Sequence, residues 1–97
     1  MVSRASGVDS EVGKQSLVNG VARLRGGDAE GAVLELRQAR RALGDTPEVL
    51  RALGEALVIQ GNRSEGTALL ARYLEVEPNA RDRSFVESLV RSTSRKE

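Results

Sequence analysis

Residues 47–78 read PEVLRALGEALVIQGNRSEGTALLARYLEVEP. Thr46, just ahead, offers a hydroxyl to cap the free N–H groups of a helix. Pro47 has its φ already set for the first helical position, and Glu48 suits the positive end of the helix dipole. The apolar residues that follow (Val49, Leu50, Ala52, Leu53, Ala56, Leu57, Val58, Ile59) lie on more than one face. This helix, about 47–60, is therefore expected to be covered from several sides. Gly61-Asn62 stops it and starts another, about 63–76, which carries Ala68, Leu69, Leu70, Tyr73, Leu74 and Val76. Pro78 closes the unit.

The preceding stretch repeats the unit. Gly20 and Gly54, Gly27 and Gly61, and Leu36 and Leu70 each stand 34 residues apart. A period of that length belongs to a helix–turn–helix unit that cannot bury its apolar face alone and stacks on a copy of itself. A first helix of about 10–25, capped by Ser10, carries Leu17, Val18, Val21, Ala22 and Leu24 on one side. Gly26-Gly27 ends it, and Asp28 caps a second helix of about 29–43, with Ala32, Val33, Leu36, Ala39, Ala42 and Leu43 turned inwards. Asn79, with Asp82 three residues on, starts a fifth helix of about 80–92. Residues 1–9 read as a flexible arm and 93–97 as a flexible tail. The expected fold is all-α: antiparallel helix hairpins and a lone fifth helix, forming a short stack over residues 10–92.

Composition narrows the rest. With 97 residues the chain is one small domain, and with only Phe85 and Tyr73 as aromatics its core is built of Ala, Val and Leu. Fifteen basic residues against 14 acidic ones leave no strong field to attract nucleic acid or an anionic membrane. No run of about 18 apolar residues occurs, so no membrane-spanning segment is expected. Met1–Gly7 lacks an apolar signal-peptide core, and the expected location is the cytoplasm.

The unit over 47–78 resembles the tetratricopeptide repeat (TPR). The residues that carry the resemblance are Leu50, Leu53-Gly54, Leu57, Gly61-Asn62, Gly66, Leu70, Tyr73 and Pro78. Gly54 and Gly66 lack side chains where such a hairpin's helices approach most closely. The first unit fits at Gly20, Ala22, Gly27-Asp28, Ala32, Leu36 and Ala39. It departs at Asn19 and Arg23, which stand where the family has buried apolar residues, and at Gly44, where it has proline. The resemblance covers roughly residues 13–92. It implies a TPR-like right-handed solenoid of five helices with a concave surface that binds a protein or peptide. Some family members clamp a terminal carboxylate, but the matching slots here (Leu17, Val21, Ala52, Asp82, Val86) hold no side chain that can donate to one, so that activity is not carried over.

One pattern sets the ends apart from the middle. Leu17, Val18, Val21 and Ala22 recur as Phe85, Val86, Leu89 and Val90, whereas the third helix has Arg51, Ala52, Glu55 and Ala56 in those slots. The resemblance implies that the first and third of these slots face the groove. The groove then has apolar ends (Leu17, Val21, Leu24; Phe85, Leu89) and a charged middle (Glu48, Arg51, Glu55). Two plainer readings compete with it. A shift of one residue in the first helix places Leu17, Val21 and Leu24 in the core and turns Asn19 and Arg23 to water. Phe85 and Leu89 serve equally well to seat the terminal helix on the fourth. Arg51 and Glu55, four apart, either orient a polar group of a guest or form a solvated intrahelical pair.

Catalysis is not expected. The chain has neither histidine nor cysteine, which removes ordinary zinc sites and His- or Cys-based nucleophiles. No Gly-rich phosphate cradle appears, and no cofactor is implied. Arg37, Arg40 and Arg41 share one face of the second helix and form a small basic patch, with Glu30 and Glu35 in helical reach. The expected function is a non-catalytic adaptor or chaperone-like module holding a peptide or amphipathic helix of another protein. The alternative is a self-associating scaffold joined through the apolar faces of its terminal helices.

Overall fold

The structure is a computed structural model and describes residues 2–94, with side chains described for 10–92. Among the described residues it holds five helices and no strand: α1 (Val2–Arg25), α2 (Ala29–Leu43), α3 (Pro47–Gln60), α4 (Arg63–Val76) and α5 (Arg83–Ser94). Each helix packs on the next in sequence, and α1 also touches α3.

The punctuation acts as the residue types dictate. The Asp28 carboxylate accepts from the Gly31 N–H at 2.8 Å, and Thr46 Oγ1 accepts from the Val49 N–H at 3.3 Å. Gly27 and Gly61 take φ of +90° and +106°, a conformation that costs glycine nothing. This lets the Asp28 N–H reach the Arg23 carbonyl and the Asn62 N–H reach the Leu57 carbonyl, at 2.9 and 2.8 Å, so both hairpins close with the same turn. Asn62 departs from expectation. Its side chain makes no cap and instead donates to Glu65.

Two other boundaries differ. The backbone is helical from Val2, ahead of the expected start at Ser10. No proline interrupts residues 2–9, and a formed helix needs only propagation to extend. The side chains of 1–9, and residues 95–97 of the expected tail, lie outside the described residues. α5 begins at Arg83 and not near residue 80. Asp82 takes the cap position, its carbonyl accepting from Val86, while its carboxylate is drawn away to α3 and α4.

The two hairpins are antiparallel and repeat one contact. A Cβ placed on Gly20 would lie 2.5 Å from Leu36 Cγ, and one on Gly54 would lie 2.8 Å from Leu70 Cγ. Gly66 meets the backbone of Gly54 and Val58 just as closely. The glycines therefore mark where the helices touch, and the repeat runs in their register.

α1 is where the structure corrects the sequence. The apolar stripe does not form its buried face. Gly13, Ser16 and Gly20 do, lying flat on α2, with Gly13 against Ala42 and Leu43. Such small residues let two helices come closer than leucines allow, so they win the interface. Leu17, Val21 and Leu24 are left half-buried on its flank, touching the core without entering it. The shifted register that would bury them is not the one adopted. Asn19 is half-buried and bonded to Gln15, and the exposed Arg23 bonds Asp28 at 3.0 Å and lies 3.7 Å from Glu35.

The core runs through the middle of the molecule. Leu36, Leu50, Leu53, Leu57, Leu70 and Val86 are wholly buried. Ile59, Ala68 and Val76, part of the broad apolar faces read for α3 and α4, are exposed, so the cover on these two helices is not complete.

Candidate functional site

α3 lies beside the half-buried flank of α1, and the turn before α5 closes one end. Between them is a cleft of about 470 Å³ lined by Val21, Leu24, Arg25, Glu48, Arg51, Ala52, Glu55 and Asp82. Beside it is an outer recess of about 370 Å³ lined by Leu17, Val18, Val21, Ala22, Arg25 and Glu48. Val21, Arg25 and Glu48 line both hollows, so the two lie side by side.

Six of the eight residues singled out from the sequence line this groove: Leu17, Val21, Leu24, Glu48, Arg51 and Glu55. Phe85 and Leu89 do not. Leu89 packs against the core. Phe85 is half exposed and lies beneath Arg51, whose guanidinium carbon stands 5.3 Å from the ring centre.

Arg51 is the centre of a polar lock. Its Nε donates to Asp82 Oδ2 at 2.6 Å, and Nη1 bonds Glu55 one helical turn on. The other oxygen of Asp82 accepts from the Tyr73 hydroxyl at 2.7 Å. One carboxylate thus ties α3, α4 and the start of α5 together. Burial works against the charge on Arg51, but the bonds to Asp82 and Glu55 outweigh it and raise the guanidinium above its ordinary value. Burial likewise opposes the charge on Asp82, yet Arg51 and Tyr73 hold it below the usual carboxylate range. Tyr73 is pushed up to about 12, first by burial and then by the neighbouring Asp82.

The lock changes what Arg51 and Glu55 can do. They are neither a solvated pair nor a free clamp for a guest, because both are half-buried, they bond each other, and Arg51 also bonds Asp82. The groove charges left without an ion pair or side-chain hydrogen bond are Arg25 and Glu48, both exposed on its rim. Sequence reasoning missed Asp82 as Arg51's partner, since 31 residues separate them and no local spacing signals the pair. It also missed Arg25.

The basic patch on α2 is largely neutralised. Arg37 makes a two-pronged bond to Glu65 at 2.8 and 3.0 Å, and Arg40 pairs with Asp45 at 2.7 Å. Glu30 and Glu35 are not their partners: Glu65 of the neighbouring hairpin takes Arg37, and Asp45, in the loop that follows α2, takes Arg40. These bonds hold Glu65 and Asp45 below the usual carboxylate range. Among the described residues, no helix is long and apolar enough to cross a membrane. No protein-family model, curated protein or solved structure matches this chain.

Proposed function

We propose that the chain is a TPR-like binding module, a short right-handed solenoid that holds an amphipathic helix or peptide of another protein in the groove between α1 and α3. The observation that carries this reading is the apolar ledge of α1. Leu17, Val21 and Leu24 remain half-buried although a complete hairpin contact already exists on the Gly13–Gly20 face. Apolar side chains left lining adjoining hollows are the usual mark of a docking surface. The matching turns and glycine contacts of the two hairpins, one period apart, support the solenoid reading.

The groove also states what the guest looks like. Three carboxylates (Glu48, Glu55, Asp82) face two guanidinium groups (Arg25, Arg51), and Arg51 is already satisfied. The guest therefore presents an apolar stripe at helical spacing, with a lysine or arginine placed against Glu48.

Synthetic amphipathic peptides with one apolar stripe and lysine, neutral or glutamate flanks test this by fluorescence anisotropy. Lysine-flanked peptides should bind most tightly. The Leu17→Glu, Val21→Glu double variant should lose binding while keeping its helical signal, and Leu34→Glu, on an exposed position outside the groove, should not. Equal binding to the ledge variant, or no preference among flanks, refutes the reading.

A further inference from the structure

The inner cleft and the outer recess differ in what covers their equivalents elsewhere in the chain. Val18, Ala52 and Val86 occupy the same slot in α1, α3 and α5, one period apart. Ala52 and Val86 are 6% and 0% exposed, in helices that each have a hairpin or helix packed ahead of them. Val18 is 62% exposed. Ala22 is exposed, where Ala56 is buried and Val90 half-buried. α1 thus carries apolar residues in a slot that the rest of the chain covers, and among the described residues no element packs over that slot of α1. An end helix that simply faces water has a polar outer surface. The backbone of 2–9 continues α1 as helix, so those residues do not fold back over this face.

We infer that a second copy of this chain covers it, α1 packing on α1 about a twofold axis, with Arg25 of each protomer paired to Glu48 of the other. The charges select this occupant. The recess carries one unpaired cation and one unpaired anion on its rim, and such a surface is complementary to itself under a twofold rotation. Two reciprocal ion pairs then flank a contact of Leu17, Val18, Val21 and Ala22 on their own counterparts. The small side chain of Ala22 lets the helices approach closely. The copy covers Leu17, Val21 and Glu48, which the proposed guest also uses, so one protomer holds either the copy or the guest and the dimer is tested with no peptide present.

Sedimentation equilibrium of the full chain over a wide concentration range tests it, with circular dichroism confirming that each variant folds. The parent should reach twice the monomer mass and go no further. Val18→Glu should remain monomeric, and Leu34→Glu, equally exposed on α2, should dimerise like the parent. Arg25→Glu and Glu48→Arg should each raise the dimer dissociation constant about tenfold, and the double exchange should restore it, because both reciprocal pairs are then re-formed with opposite polarity. The double exchange keeps the test decisive if Val18→Glu fails to fold. A parent that stays monomeric, assemblies that grow beyond two copies, or a double exchange that restores nothing overturns the inference.

Discussion

Replacing Gly66 with alanine should loosen the second hairpin in a way that can be worked out atom by atom. The added Cβ would lie 2.7 Å from Val58 Cγ2, 2.9 Å from the Gly54 carbonyl oxygen and 2.9 Å from the Val58 backbone nitrogen. Two of these three neighbours are main chain, so no rotamer change relieves them. α3 and α4 must separate by roughly 0.5–1 Å, which forfeits a quarter to a half of the dispersion attraction at each contact along the seam. Overpacking of this kind costs about 1–3 kcal/mol, and obstruction by backbone places it near the upper end. Alanine's better helix propensity returns about 1 kcal/mol. The net loss is about 2 kcal/mol, which for a domain of this size lowers the melting temperature by roughly 8–16 °C. Urea unfolding followed by far-ultraviolet circular dichroism measures it, with Gly26→Ala as control. A Cβ at Gly26 meets nothing closer than 3.5 Å. If Gly66→Ala is as stable as the parent, the close seating of the second hairpin is refuted.

Two further expectations follow from burial and from the lock. Leu36→Ala should cost about 2–5 kcal/mol in the same assay, and Leu34→Ala, two residues away but 69% exposed, should stay within about 0.5 kcal/mol of the parent. Tyr73 is the chain's single tyrosine, so its ionisation can be followed directly by ultraviolet absorbance. It should titrate near 12 in the parent and move towards 10 in Asp82→Asn, which removes the neighbouring charge. Because the folded value is raised, the contribution to stability is complete below about pH 10 and is lost as the pH climbs towards 12. A parent tyrosine that titrates at its ordinary value would show that the bond to Asp82 does not form in solution.

Much of this molecule is written locally. Thr46-Pro47, Gly27-Asp28 and Gly61-Asn62 act within a few residues of themselves, so the limits of α2, α3 and α4 can be read from capping and turn chemistry alone. The repeated glycines go further. Gly20 with Leu36 and Gly54 with Leu70 disclose the hairpin and its register, because only the absence of a side chain admits so near a neighbour. Apolar residues grouped on α1 announce a surface as well.

What they could not announce is which side of α1 meets α2. A stripe of valine and leucine and a stripe of glycine and serine compete for the same partner. The outcome depends on the shape of α2, where Leu36, Ala42 and Leu43 leave room only for the smaller set. That choice, made between helices, leaves Leu17, Val21 and Leu24 half-buried at the edge of the core, beside the cleft. The same holds for Arg51. Its local neighbour Glu55 is visible four residues on, whereas Asp82, itself bonded by Tyr73, reaches it only because α4 and the start of α5 fold back beside α3. Short-range preferences are additive along a chain and can be read from it. Competition between surfaces is settled only when the surfaces meet.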